Sequence, residues 1–361
     1  MGCCSESSSA SDTHLCTCVT HGPAGSGRNS GVLHAGFYYA PDSLKAQLTA
    51  RGNRLLRDFC AEQDVPVRSC GKVVVATHAD QLPALHELAR RGQANGVRLE
   101  VIDERQLADL EPLAQTHERA IWSPDTAVAD PKAVTAALRR DLLARGVIIR
   151  TSTRVTRPPD AGHVVNAAGL YADRVAAWYG FCDDYVMMPF KGLYWYGEAR
   201  APHLQRHVYP VPDPRNPFLG VHFTVTAGGG VKVGPTAIPV LSREAYHWTL
   251  HPDDAKEVLT SFPAFVRGGH HDVPALLRSE LPKYSRRWLE HQARLLVPSA
   301  TGFTLKGAPG IRAQLMHRAT GKLEMDFVVR GDERSPHVLN AVSPAWTSSF
   351  AFAQYVVDRV A

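Results

Sequence analysis

The sequence lacks several features that would place it in a special class of protein. No uninterrupted apolar stretch reaches the roughly 18 residues that a membrane-spanning helix needs. No basic run carries interleaved aromatic residues, so nucleic acid is a poor partner although the net charge is +5. What remains is an ordinary globular composition, 44% hydrophobic and 21% charged, in a chain long enough for about two domains. The mild positive charge suits an anionic small substrate, and peripheral membrane contact stays open.

A disulfide framework is also absent. Four of the seven cysteines fall in the first 18 residues, and their spacing is irregular and matches no usual zinc pattern. We therefore expect no metal site and a reducing compartment, the cytoplasm. Residues 1–25 are rich in Ser, Thr, Cys and Gly and show no apolar period, so we predict a disordered or non-native leader.

Apolar periods begin near Ser26. Helical spacing predicts helices over Ser43–Glu62, Gln81–Ala94, Pro131–Ala144, Leu170–Tyr179, Asp253–Thr260, Val273–Gln292 and Thr347–Val360. Asp42 or Ser43 caps the first of these, and Asp130 caps the one at Pro131. Short β-branched runs predict strands over Val73–Ala76, Val147–Arg150, His163–Asn166 and Val338–Ala341, and residues 187–235 alternate strands with Gly and Pro turns. The order favours an α/β fold in which a nucleotide-type domain is interrupted by a β-rich domain.

Three segments have the small or glycine-rich turns that ligands use. Ser26–Tyr39 has glycines at 27, 31 and 36, which let backbone N–H groups approach a ligand or merely form a turn. Val164–Asp173 passes from a strand through Ala-Ala-Gly into a helix, which suits a cofactor or a plain strand–helix turn. Asn340–Ser349 leads through Ser-Pro into a helix start, which either stabilises negative charge or is simply capped.

Two further groups of residues bring charge and hydrogen bonding. Arg312, in Pro309–Gln314, offers a planar fork for a carboxylate, although a lone arginine is more often a surface charge. Lys191, Tyr209 and His222 stand in strand-like apolar surroundings of the β-rich region. They line one pocket, or they are ordinary core residues.

Together these segments resemble the D-amino-acid-oxidase-type flavoproteins, and specifically the L-2-hydroxyglutarate dehydrogenases. The most specific stretches are Ser30–Tyr39 (SGVLHAGFYY), Tyr209–Asp213 (YPVPD) and Pro217–His222 (PFLGVH). The similarity extends from Ser26 to the end of the chain, about nine-tenths of its length.

The resemblance implies a discontinuous, Rossmann-like FAD-binding domain and a β-rich substrate domain. The implied FAD-binding segments are 26–70, 131–180 and 307–361, and the implied substrate segments are 71–130 and 181–306. The implied cofactor contacts are Ser26, Gly27, Arg28, Asn29, Ser30, Gly31, Val32, Ala168, Gly169, Ser343, Pro344, Ala345, Thr347 and Ser348. The last five would present a helix start to the pyrimidine side of the flavin, where the reduced ring carries negative charge.

The implied reaction is oxidation of L-2-hydroxyglutarate to 2-oxoglutarate, with hydride passing to flavin N5. His34 or His222 would be the base, because imidazole titrates near neutral pH. Arg312, helped by Lys191 and Tyr209, would hold the substrate carboxylates. The electron acceptor stays open between oxygen and a quinone. The alternatives are a related enzyme acting on glycerol 3-phosphate or an amino acid, or a truncated, inactive relative.

The sequence departs from the family in three places. It contains no Gly-x-Gly-x-x-Gly at the end of a first strand, so we expect the first βαβ unit to be absent and FAD to bind poorly. This expectation is compatible with a wrong gene start or frameshift, or with a genuinely shortened protein. Residues 158–162 are too few for the family's β-hairpin, and Lys191 stands where relatives tend to have arginine, which removes the bidentate fork.

Overall fold

The computed structural model describes residues 25–213, 216–247 and 250–360. The predicted leader up to residue 24, with its cysteine-rich stretch, lies outside the described residues. The helices are α1 Leu44–Glu62, α2 Leu82–Ala94, α3 Glu104–Leu110, α4 Pro131–Ala144, α5 Ala172–Ala177, α6 Pro252–Arg267, α7 Val273–Glu280, α8 Arg286–Arg294 and α9 Ala345–Val357. No helix in this part of the chain is long and apolar enough to cross a membrane.

The strands fall into four sheets. They are β1 Val32–Leu33, β2 Val67–Arg68, β3 Lys72–Val75, β4 Glu100–Asp103, β5 Arg119–Ser123, β6 Ala127–Ala129, β7 Tyr185–Gly192, β8 Trp195–Gly197, β9 His207–Pro210, β10 His222–Val225, β11 Val231–Gly234, β12 Ile238–Pro239, β13 Phe303–Lys306, β14 Gly310–His317, β15 Val328–Arg330 and β16 His337–Asn340. The resulting architecture confirms the predicted mixed α/β class.

The largest sheet has eight strands in the order β13-β8-β11-β10-β9-β3-β5-β4. Only the interior pair β3–β9 is parallel, and the other pairings are antiparallel. Its strands come entirely from the two segments that the sequence predicts to form the substrate domain. Fully buried Val73, Val75, Phe223 and Phe303 form its core on one side. The domain boundaries themselves stay a prediction.

Helices α1 and α9 pack closely beside the small sheet β1-β6-β2. Gly52 of α1 makes this possible, because a Cβ there would lie 2.6 Å from the Ser348 Cα and from the Thr347 carbonyl oxygen. Real Cβ atoms do not approach backbone so closely. The start of α9 is thereby held against the strand that leads to His34.

The third sheet, β12-β7-β14, joins segments that are distant in the sequence. The β7–β14 pairing runs for eight residues, from Gly310 opposite Gly192 to His317 opposite Tyr185. Strand β14 belongs to the last predicted FAD-binding segment and β7 to a predicted substrate segment. The two predicted domains therefore share a sheet.

Helix ends follow the sequence closely. The Ser43 side chain accepts from the amide of Ala46, so Ser43 rather than Asp42 caps α1. Asp130 caps α4 by accepting from Lys132, as its position before Pro131 predicts.

Three predictions are wrong. His163–Asn166 forms no strand, and Asn166 makes only an isolated bridge to His337. Residues 147–150 form no strand, because no partner strand lies beside them in the described part of the chain, and alternate residues are exposed. The single helix predicted over Val273–Gln292 is instead α7, a 3-10 turn at Leu281–Tyr284, and α8. Pro282 lacks the N–H that a continuous helix requires.

Candidate active site

The start of α9 is bonded to the strand that precedes His34. The Thr347 hydroxyl donates to the carbonyl of Val32 at 3.0 Å and accepts from the His34 amide at 3.1 Å. The Asn53 side chain donates to the carbonyls of Leu33 and His34, at 3.2 and 3.0 Å. The backbone on both sides of the His34 side chain is therefore fixed by buried hydrogen bonds.

Two amides in the first turn of α9 can meet a negative charge. Pro344 occupies the position before the helix and makes no side-chain capping bond, and the first helical bond joins the Ser348 amide to the Pro344 carbonyl. The Ala345 amide donates to the Val342 carbonyl, whereas the amides of Trp346 and Thr347 have no acceptor within the helix. The helix dipole adds partial positive charge at the same place.

The histidines named from the sequence lie in one buried cluster. His34 is 8% exposed and His222 is 3% exposed. Burial lowers the pKa of His34 well below its usual value, and the charge of Lys72 lowers it further. The His222 ring stacks on the buried Tyr209 ring, with centroids 3.8 Å apart. The structure thus brings three of the predicted residues together.

Hydrogen-bond partners assign the protons of two of these imidazoles. His222 Nδ1 lies 2.8 Å from the Gly220 carbonyl oxygen, which can only accept, so Nδ1 carries the hydrogen and Nε2 keeps its lone pair. His207 Nδ1 accepts from the Val225 amide, so its hydrogen is on Nε2, which lies 3.2 Å from Cys70 Sγ. Burial lowers the pKa of His222 to about 3. His222 is therefore neutral and can accept a proton at Nε2.

Sequence reasoning missed Lys72 and His207. Both are completely buried, and they face each other across the parallel pair β3–β9. The Lys72 ammonium lies 3.4 Å from His34 Nδ1 and 4.1 Å from the centroid of the Tyr209 ring. The available signals were weak: Lys72 begins a run of three valines, and His207 precedes Tyr209 by two residues on the same strand.

Arg312 supplies a half-buried cation on β14. Its Nη1 donates to the Thr236 carbonyl at 2.9 Å, and burial lowers its pKa. Arg312 also lowers the pKa of His222, after burial and the charges of Lys72 and Lys283. A carboxylate bound to Arg312 would therefore lie in the field of the histidine cluster.

Lys191 lies on the other face of the sheet. Arg312 is directly opposite Phe190 in the β7–β14 pair, whereas Lys191 is opposite Ile311. Successive residues of a strand point to opposite faces, so Lys191 and Arg312 diverge. The Lys191 ammonium donates to the Ala245 carbonyl at 2.6 Å. The structure does not bring Lys191 to the carboxylate fork that the sequence predicts it to assist.

The glycine-rich segment is held mainly by protein contacts. Asn29 forms a turn, with its side chain donating to the Ser26 carbonyl and accepting from the Gly31 amide. Gly31 has φ +79°, and a Cβ there would lie 2.4 Å from the Ala129 oxygen of β6. Packing against β6 therefore already requires this glycine. The Arg28 guanidinium lies 4.3 Å from the centroid of the Tyr246 ring. Gly27 ends a 3-10 turn, and the carbonyl of Ser30 accepts from the Lys232 ammonium.

The Ala168-Gly169 turn occupies a corner beside β16. Asn166 fixes it, accepting from the Ala168 amide and donating to the Ala172 carbonyl. Gly169 has φ +59°, and open space lies where its Cβ would be. Asn166 also bridges to His337 in parallel orientation, as a strand of a Rossmann-like sheet would.

These observations fit a flavin at one end of the site. The open first turn of α9 and the His222 lone pair match the needs of the reacting ring, whose reduced form is negative. The sequence contains no Gly-x-Gly-x-x-Gly turn for the pyrophosphate. In the described part of the chain, no group of three His, Cys, Asp or Glu side chains could hold a metal ion.

Comparison with known proteins agrees with this fold and shows the family of the chain. The family model described as FAD dependent oxidoreductase matches residues 20–359. The chain belongs to this family of FAD-dependent oxidoreductases. It is 36% identical over 366 residues to the mitochondrial L-2-hydroxyglutarate dehydrogenase of Caenorhabditis elegans, covering 92% of this chain and 83% of that protein.

A bacterial relative and a solved structure extend the comparison. The L-2-hydroxyglutarate dehydrogenase of Indibacter alkaliphilus is 35% identical over 352 residues, 92% of this chain and 88% of that protein. The dithionite-reduced L-alpha-glycerophosphate oxidase of Mycoplasma pneumoniae, with FAD bound, superposes with a TM-score of 0.76. It covers 97% of this chain and 88% of that one at 21% identity, and so supports the fold.

Proposed function

We propose that the protein oxidises L-2-hydroxyglutarate to 2-oxoglutarate with FAD as cofactor. The relatives at 35–36% identity that carry this enzyme's name support the choice of substrate. The observation that carries the proposal is that His222, whose Nε2 is unprotonated, lies opposite Gly234, two residues before Thr236, whose carbonyl accepts from Arg312. The charge of Arg312 also contributes to lowering the pKa of His222, after burial. A carboxylate anchor beside a base is what a 2-hydroxy acid requires.

In the proposed reaction, Arg312 binds a substrate carboxylate through the part of its fork not used by Thr236. His222 Nε2 accepts the proton of the 2-hydroxyl group, and the C2–O bond becomes a carbonyl. FAD, when bound, supplies the acceptor for the hydride that leaves C2. The dense packing around Tyr209 and His222 excludes water from this chemistry.

We assign Ser343–Ser348 and the Ser26–Val32 segment to the flavin side of the cofactor. The supporting observation is that Thr347 links the two segments directly to His34. The missing pyrophosphate turn predicts weak binding of the dinucleotide end. Oxygen and a quinone both remain as candidate electron acceptors.

The test is a substrate panel read by flavin absorbance. The purified full chain is titrated with FAD, made anaerobic, and mixed with L-2-hydroxyglutarate, glycerol 3-phosphate or an L-amino acid. We expect the flavin bands to bleach with L-2-hydroxyglutarate alone. Bleaching only with glycerol 3-phosphate or an amino acid would show that the proposed substrate is wrong. A protein that shows no absorbance of bound flavin at saturating FAD would show that this chain lacks the activity.

A further inference from the structure

Lys72 is a buried cation with no carboxylate to neutralise it. It is 0% exposed and sits in the central strand β3, opposite Ser123 on one side and His207 on the other. No described residue forms an ion pair with it. Its ammonium is instead surrounded by the rings of Tyr209, Tyr38 and Phe37, at 4.1, 5.0 and 5.6 Å from the centroids. Such rings compensate only part of the cost of burying the charge.

Among the residues that the structure describes, the hydrogen-bond partner of the Lys72 ammonium is His34 Nδ1, at 3.4 Å. An ammonium group can only donate, so the nitrogen that faces it must carry the lone pair. The hydrogen of neutral His34 is then on Nε2. His34 is only 8% exposed, so the surrounding packing restricts rotation of its ring.

We propose that Lys72 is a positioning residue that holds His34 in the Nε2–H tautomer, so that His34 donates to a substrate oxygen while His222 accepts the hydroxyl proton. This assignment deepens the proposed function and rests on it for the identity of the substrate. It assigns different roles to His34 and His222, which the sequence alone could not distinguish. Each imidazole owes its tautomer to a different partner, an ammonium for His34 and a backbone carbonyl for His222.

The charge on Lys72 makes this arrangement sensitive to pH. Burial lowers the pKa of Lys72 to about 7, and Cys70 raises it slightly. The other titratable groups that face it are His34, His207 and His222, which are neutral, and Tyr38 and Tyr209, whose pKa values burial raises. Once Lys72 loses its proton it can accept as well as donate, and the Nδ1–H tautomer of His34 becomes allowed.

The test compares K72M with a matched control. Lys45 is also buried, at 4% exposure, and also lies near two aromatic rings, at 5.7 and 5.8 Å, but it has no imidazole neighbour. Two-bond ¹H–¹⁵N correlation spectra of histidine-labelled protein report the tautomer, and H34Q identifies the His34 signals. We expect the Nε2–H tautomer at pH 6 in the wild type, K45M and K72R, and Nδ1–H or a mixture in K72M.

An Nε2–H tautomer retained by K72M overturns the proposal, whatever happens to activity. Because the spectra need neither substrate nor turnover, this result is independent of whether L-2-hydroxyglutarate is the substrate. In the active enzyme we expect K72M to lower kcat by about 10–100-fold, the usual effect of removing a group that orients a functional imidazole. K72R should restore most of it and remove the ionisation near pH 7 from the pH profile of kcat. A profile in K72R that keeps that ionisation would also contradict the role given to Lys72.

Discussion

Glu280 and Arg312 hold the two ends of the same peptide group. Arg312 Nη1 donates to the Thr236 carbonyl at 2.9 Å, and the following amide, that of Ala237, donates to Glu280 Oε2 at 2.6 Å. The other Glu280 oxygen pairs with Lys283, and both side chains are buried. The buried negative charge of Glu280 thus fixes the peptide group that orients Arg312, the proposed substrate anchor.

This arrangement makes Glu280 important for stability. Changing Glu280→Gln leaves the buried Lys283 ammonium without its partner, and breaking a buried pair in this way costs about 3–5 kcal/mol. We expect E280Q to lower the free energy of unfolding by that amount, measured by urea denaturation. The double variant E280Q/K283M removes both charges and should recover most of the loss. A double variant no more stable than E280Q would contradict this account.

Arg312 and Lys191 lie on opposite faces of the β7–β14 pair, so the effects of replacing each on kcat/KM can be compared directly. R312M removes the substrate anchor and should cost about 2–5 kcal/mol of transition-state binding, a fall in kcat/KM of roughly 30-fold to several thousand-fold. K191M, on the opposite face, should change kcat/KM by less than about threefold, an energy below roughly 0.7 kcal/mol. Steady-state kinetics with L-2-hydroxyglutarate measures both. Equal losses would mean that Lys191 also reaches the substrate.

Neutral buried histidines make the fold sensitive to acid. The pKa of His222 is about 3 in the folded protein and near 6.5 when unfolded, so below pH 6.5 the unfolded state binds the extra proton. Stability is therefore fully present above pH 6.5 and falls as the pH drops towards 3. The contribution of His222 approaches about 1.4 kcal/mol per pH unit. Urea unfolding between pH 7.5 and 4.5 should show a shallower slope in H222Q, and an unchanged slope in a variant of exposed His78, H78Q.

Replacing Gly52 with alanine should change the free energy of unfolding in two opposite directions, through helix propensity and through packing. Alanine is the better helix former by about 1 kcal/mol, so G52A in an isolated helix would be stabilising. In this protein the new Cβ would meet Thr347 and Ser348 at 2.6 Å, and overpacking of that kind costs about 1–3 kcal/mol. We expect net destabilisation of the protein and weaker FAD binding. G162A, where a Cβ meets nothing within 4 Å, is the control. A stabilised G52A would show that α1 and α9 are not held this closely.

Local signals in the sequence predicted the helices well and their packing poorly. The caps at Ser43 and Asp130 need only the residues next to them, and both occur. The strand expected at 147–150 failed because a strand requires a partner, and periodicity carries no information about partners. The separation of Lys191 from Arg312 depends on the register of two strands about 120 residues apart.

Some residues of the candidate site could be named from the sequence, and others could be recognised only from the structure. His34, His222 and Tyr209 stood out as polar side chains in apolar surroundings, and Arg312 as a planar fork for a carboxylate. The structure places all four in the same region. Lys72 and His207 interrupt such runs too, but only the parallel pairing of β3 with β9 reveals that they belong to the same cluster. Their roles follow from hydrogen-bond partners that no sequence pattern identifies.

The low pKa of His222 has a consequence for substrate choice. The pKa of His222 is about 3 because burial, and then the charges of Lys72, Lys283 and Arg312, disfavour the protonated imidazole. A ligand with two carboxylates offsets part of that positive field and strengthens the base at the moment of binding, whereas a monoanion offsets less. If His222 is the base, binding of a dianionic substrate would therefore raise its pKa and make it a stronger base than in the unliganded site. A preference for a dianionic over a monoanionic substrate would then appear in the rate of proton transfer to His222 as well as in the binding affinity.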